Sequence, residues 1–172
     1  NINQLNILIT KIIKNLKKVK RLDSPNMAVI SSVVPNLNKT IIKILKINKI
    51  NELLIKSKNI LPFLKIDYAL NEIGADRIAN SIAIINKNIS NSIVIDFGTA
   101  TTFEVIKGSI FSGGLIFPGI NLSKNILIKK TSLLKNTEVI KTKKAVATNT
   151  KQSIQSGFYW GYLFAINGII KK

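Results

Sequence analysis

Three apolar runs separated by glycine-containing turns constrain this chain most. Ser92-Ile-Val-Ile-Asp96 is a short β-branched run that suits a buried strand. Phe97-Gly98-Thr99 supplies a tight turn, and Thr101-Thr-Phe-Glu-Val-Ile106 reads as a second strand. Lys107-Gly108 turns the chain again, into a third strand from Ser109 through Phe111 and beyond. Helical stretches flank this set. From Asn71 onward, Ile73, Ile78, Ile82 and Ile85 fall on one helical side. Ser153 to Ile170 also reads as helix and is rich in aromatics (Phe158, Tyr159, Trp160, Tyr162, Phe164). Helix, three strands, helix is an α/β order.

The first seventy residues fit the same class. Ile2, Leu5, Ile9, Ile12, Ile13, Leu16 and Val19 are spaced as one face of an amphipathic helix, with Lys11, Lys14, Lys17 and Lys18 outside it. That helix would also suit a membrane surface, but the expectation is that it faces a core. Met27 to Val34 is a β-rich run that Pro35 should stop, and Leu37 to Ile47 is a second helical stretch. Residues 48–68 give only short apolar pieces, ending at Asp67-Tyr68, and no element is assigned there. A helix is expected to start near Gly119, and residues 135–149 are polar. A chain of 172 residues has room for one full domain or two small subdomains.

Composition then removes whole classes of chemistry. The chain has no Cys and no His. Thiolate–imidazole zinc sites, Cys nucleophiles, Ser-His-Asp triads and disulfide frameworks are excluded. Acid–base work falls to four Asp, four Glu, or a Lys or Tyr. The formal charge of +18 points first to nucleic acid, but the only arginines are Arg21 and Arg77, and lysine runs nearly end to end. A nucleic-acid face normally clusters Arg and Lys with aromatics between them. The Ile/Asn/Lys excess matches an AT-rich coding sequence, so a solvated basic surface is the reading adopted. No apolar run reaches the ~20 residues that span a bilayer, so no membrane partner is expected. The start, Asn1-Ile2-Asn3, lacks a basic signal-peptide region and an initiator Met, and the chain is expected to begin inside a longer protein.

Four segments could carry chemistry. In Asp96-Phe-Gly-Thr-Ala-Thr-Thr102 a carboxylate ends an apolar strand, and Gly98 lets the backbone approach a ligand. Turn amides and Thr hydroxyls could face a phosphate, with Asp96 holding a cation. The same pattern suits an ordinary capped hairpin. It is not a Walker A loop, because no Gly-Lys-Ser/Thr follows. Gly74-Ala75-Asp76-Arg77 lies at or near a helix start, where Asp76 could cap the helix or take a hydroxyl proton in phosphoryl transfer. Gly113-Gly-Leu-Ile-Phe-Pro-Gly119 suggests close backbone packing, or a plain strand–turn–helix junction. In Asn149 to Gly157, Thr150 could be an N-cap, with Ser153 and Ser156 one turn apart.

In this order, those four segments resemble the type III pantothenate kinases, and Ser31-Ser-Val-Val-Pro35 fits as well. The resemblance covers nearly the whole chain. It implies a ribonuclease H-like two-domain kinase fold of the actin-like superfamily, truncated at both ends. Residues 1–90 would be the remainder of the N-terminal subdomain and 91–172 the start of the C-terminal one. It further implies a cytoplasmic homodimer that moves the γ-phosphoryl of ATP to pantothenate, the first step of coenzyme A synthesis. Asp76 would be the general base. Gly74, Ala75, Asp76 and Arg77 would line the pantothenate site, with Tyr68 closing it and Thr150 reaching in across the dimer. Gly98 and Thr99 would contact ATP. Asp96 would bind the monovalent cation (potassium or ammonium), and magnesium would accompany ATP.

Two departures stand out. The family's first phosphate loop, Asp-x-Gly-Asn-Thr, has no counterpart in these residues, and Glu104 stands where Asp is common. Glu104 keeps the charge, but without that loop these 172 residues alone are expected to show little or no turnover. A non-enzymatic dimerising or ligand-binding relic of the fold is the second reading, and a basic nucleic-acid binder the third.

Overall fold

A parallel strand pair needs a crossover, and the sequence between Met27 and Leu54 provides one. In the computed structural model, which describes residues 2–18, 25–56, 59–60, 62–131 and 137–172, this is a βαβ unit. Strand β1 (Met27–Ile30) leads into helix α2 (Pro35–Ile47) and then β2 (Asn51–Leu54). The two strands pair in parallel, in register from Met27↔Asn51 to Ile30↔Leu54. Helix α1 (Ile2–Lys18) precedes them. Ile13, Ile30, Ile44, Leu45 and Ile50 form the buried cluster of this region, with Ile9, Ile41 and Leu54 packed around it.

The helix α1 buries a narrower line than its pattern predicts. Ile13 is buried and Ile9 half-buried, but Ile12 and Leu16 are exposed. Lys11, Lys14 and Lys18 are exposed, as expected. Val19 and the side chains of Ile2, Leu5 and Lys17 lie outside the described residues. The β-rich run also ends early, at Ile30 rather than Val34. Its partner strand is only four residues long. Past the ladder, the Val34 amide donates to Ser32 Oγ at 3.1 Å and bends the chain. Pro35 then opens α2 instead of closing the strand, because its fixed φ and missing N–H suit a first helical turn.

The unassigned stretch 48–68 holds β2 and a two-residue strand, β3 (Lys65–Ile66). Helix α3 (Ala75–Ile85) begins later than its isoleucine spacing suggests. Gly74 is the N-cap, with extended φ −67° and ψ 148°, so Ile73 is buried ahead of the helix. The buried Ser81 hydroxyl donates back to the Arg77 carbonyl at 2.8 Å, which satisfies it inside the helix.

The remaining elements are β4 (Asn91–Phe97), β5 (Ala100–Lys107), β6 (Ile110–Pro118), α4 (Ile120–Lys130) and α5 (Thr150–Lys171). Strands β4, β5 and β6 are successive neighbours. Their two-residue connections oblige them to run antiparallel. Gly108 takes φ +61° in the second turn, which a glycine adopts without strain. On β5, Thr101, Phe103, Glu104 and Ile106 are all fully buried. The chain thus has the expected mixed α/β architecture.

The chain divides into two compact units. One comprises Asn1–Ser90 with Lys107–Ser112, the other Asn91–Ile106 with Gly113–Lys172. Within the first, β3 runs parallel to the opening of β6, with Lys65↔Ile110 and Ile66↔Phe111 in register. Within the second, the Tyr162 hydroxyl of α5 donates to the Pro118 carbonyl at 3.0 Å and lies 2.7 Å from Ser123 Oγ.

Candidate functional site

The first group of candidate residues surrounds the start of α3. A helix N-terminus presents unpaired amides and a positive dipole end, so an acidic side chain is stabilised there. Asp76 stands in that first turn, is exposed, and accepts the Arg77 amide on Oδ1 at 2.9 Å. It caps its own turn while Gly74 holds the N-cap position. Gly74 is the residue that fits: a Cβ there would fall 2.5 Å from Asp76 Oδ1. Gly74 and Ala75 line a cavity of about 430 Å³, together with Ser32, Val33, Pro35 and Ile78. The cavity lies beyond the carboxyl end of β1, the edge at which parallel α/β sheets usually take ligands.

Arg77 points into the structure and is only 5% exposed. Its guanidinium carbon lies 5.8 Å from the centroid of the Tyr68 ring and 5.4 Å from that of Phe111. The two rings meet edge to face at 5.7 Å. Tyr68 and Arg77 are thus neighbours, whereas Gly74 and Ala75 line a cavity whose lining includes none of Tyr68, Asp76 and Arg77.

The second group belongs to the other unit. Asp96 stands in β4, and Gly98 and Thr99 form the turn into β5; all three are exposed. The Gly98 amide donates to the Ala100 carbonyl at 2.9 Å, which closes the turn. Gly119 then donates its amide to the Thr99 carbonyl at 3.1 Å. Thus the turn is held from the end of β6, and the segment 113–119 is placed against the segment 96–102. Glu104 is fully buried on β5. Among the described residues no group of three or more Asp or Glu could hold a metal ion by itself.

Thr150 opens α5, but the N-cap is Asn149, whose side chain accepts the Gln152 amide at 3.0 Å. Thr150 lines a cavity of about 590 Å³ with Phe117, Ser153, Ile154, Phe158 and Tyr162. The residues that the resemblance assigns to pantothenate are thereby divided: Tyr68 and 74–77 lie in the first unit, Thr150 in the second.

Neither Phe111 nor Gly119 carries a signal of its contacts in the sequence. Phe111 looks like any apolar strand residue. Gly119 sits in a flagged segment, but its specific contact depends on a turn twenty residues earlier. No helix among the described residues is long and apolar enough to cross a membrane.

Residues 3–172 match the family model of type III pantothenate kinase. A type III pantothenate kinase of Sulfurihydrogenibium sp. (strain YO3AOP1) is 47% identical over 150 residues, covering 86% of this chain and 59% of that protein. One from Pelagibacter ubique (strain HTCC1062) is 36% identical over 183 aligned positions, covering 98% of this chain and 73% of that protein. The chain thus spans 59% of the first relative's length and 73% of the second's. A crystal structure of a Baf family protein from Campylobacter jejuni is similar with a TM-score of 0.60 at 25% identity, covering 94% of this chain and 68% of that one.

Proposed function

The chain belongs to the type III pantothenate kinase family, and we propose that, within the whole protein, it phosphorylates pantothenate with ATP. The reaction moves the γ-phosphoryl group to the primary hydroxyl of pantothenate. It yields 4'-phosphopantothenate, ADP and the hydroxyl proton. We assign the enzyme to the cytoplasm, as a homodimer with a ribonuclease H-like fold of the actin-like superfamily. Residues 1–90 are assigned to its N-terminal subdomain and 91–172 to its C-terminal one.

The observation that carries this reading is the setting of Asp76. Its Oδ1 is engaged by the Arg77 amide, and the carboxylate is exposed on a helical first turn. A carboxylate fixed at one oxygen and open at the other suits a general base for a hydroxyl group. Arg77, although buried against Tyr68 and Phe111, places positive charge next to Asp76 for an anionic acceptor, and Gly74, Ala75 and Tyr68 are assigned to the same acceptor site. The turn at Gly98 and Thr99 is assigned to the ATP phosphates; the Gly98 amide closes the turn on Ala100, so Thr99 is the residue assigned to donate. Thr150 is assigned to the pantothenate site of the partner in the dimer.

The resemblance also implies magnesium and a monovalent cation. Asp96 provides oxygen donors, which hard cations prefer. One exposed carboxylate fits a cation that shares its ligands with phosphate and water, and such an ion would offset the charge on the phosphates.

The test is ADP release from ATP and pantothenate by the whole protein. Asp76→Asn should lower kcat by about 10²- to 10⁴-fold, with the pantothenate KM little changed. Retained turnover would remove Asp76 as the base.

A further inference from the structure

We infer that Phe111 is a positioning residue for the acceptor, acting through Arg77 and Tyr68; the inference rests on the function proposed above. Neither a motif nor the resemblance draws attention to it. Its ring is fully buried and lies under the Arg77 guanidinium at 5.4 Å. The same ring meets Tyr68 edge to face at 5.7 Å. Arg77 has a long side chain with several free torsions, and it is almost entirely removed from water. Two aromatic faces restrict such a side chain to one orientation, and their negative quadrupoles favour the cation when water is excluded.

The backbone of Phe111 is fixed with equal care. Phe111 pairs with Ile66 in the parallel ladder. The Asp67 amide donates to its carbonyl at 2.8 Å. The chain leaves that ladder through Asp67 into Tyr68. One residue therefore sets the exit of β3, where Tyr68 stands, and supports the side chain of Arg77 from the first turn of α3. Both neighbours belong to the region assigned to the acceptor. Small displacement of such groups weakens recognition without touching the nucleotide.

The test replaces Phe111 in the whole protein by phenylalanines of increasing ring fluorination. These keep the shape while draining the negative ring face. A purely structural role depends on shape and should not follow the series. The expected result is a pantothenate KM that climbs with fluorination, to about five- to tenfold at the trifluoro stage. The ATP KM should stay unchanged, while the melting temperature should fall slightly as the buried cation–π contact weakens. Phe111→Leu should raise the pantothenate KM too, and should add little in an Arg77→Lys background, since both act on one contact. A pantothenate KM that is flat across the series, with the unsubstituted protein active, would overturn this inference alone. No turnover by the unsubstituted protein would overturn it together with the proposed function.

Discussion

The Gly119 amide donates to the Thr99 carbonyl at 3.1 Å, and the approach leaves no room for a side chain at 119. A Cβ there would overlap the carbonyl oxygens of Thr99 and Gly98. The φ of Gly119 is an ordinary −71°, so the glycine is required by proximity and not by backbone conformation. Both obstructing atoms are backbone, and relief means moving the turn. Gly119→Ala should therefore cost about 1–3 kcal/mol and raise the ATP KM. Gly168 is the control. It lies inside α5 with nothing within 4 Å of an added Cβ, and Gly168→Ala should stabilise by about 0.5–1 kcal/mol. Urea denaturation of the two variants should move in opposite directions.

Gly74→Ala should behave differently from Gly119→Ala. The atom in the way is Asp76 Oδ1, the end of a side chain, and the next contact, Val33 Cγ1 at 3.5 Å, is ordinary packing. The carboxylate can swing aside, so the fold should lose less than about 1 kcal/mol. The swing also breaks the bond to the Arg77 amide and misplaces the proposed base. Turnover should fall by about 10- to 100-fold while the melting temperature barely moves. A large loss of stability with normal kcat in the folded fraction would refute this account.

How far these relationships were legible depends on their range in sequence. The strands β4 and β5 could be read because apolar runs meet glycine turns within a dozen residues. Strands β2 and β3 could not, since four- and two-residue strands among Asn and Lys carry too little pattern. Pro35 suits a strand stop and a helix start equally well, and only the Ser32–Val34 turn decides between them. Among the candidate residues, Gly74, Asp76, Asp96 and Thr99 stand out from short motifs whose chemistry is local. Phe111 does not. Its significance depends on meeting Tyr68 and Arg77 through a ladder that the sequence does not announce.

Asn149 separates capping from substrate contact at the start of α5. Its side chain accepts the Gln152 amide at 3.0 Å, and this satisfies one of the open donors of the first turn. Asn149→Ala should cost about 1 kcal/mol, read by denaturation. Asn149→Ser can make the same bond and should recover most of it. Thr150→Ala lies outside this bond. It should leave stability within about 0.5 kcal/mol while raising the pantothenate KM in the whole protein.

Tyr162 joins α5 to the end of β6 and to α4, and its hydroxyl can be removed without its ring. The hydroxyl donates to the Pro118 carbonyl at 3.0 Å, with Ser123 Oγ at 2.7 Å. The ring packs edge to face on Phe117 at 5.4 Å and stacks with Phe158 at 6.1 Å. Tyr162→Phe keeps those ring contacts and should cost about 0.5–1.5 kcal/mol. Ser123→Ala should cost less, because the Tyr162 hydroxyl keeps the Pro118 carbonyl. Once the hydroxyl is gone, Ser123→Ala has no such bond left to remove. The double variant should therefore be less destabilised than the sum of the singles. Strict additivity in a denaturation cycle would show that the 2.7 Å contact does not hold α5 in place.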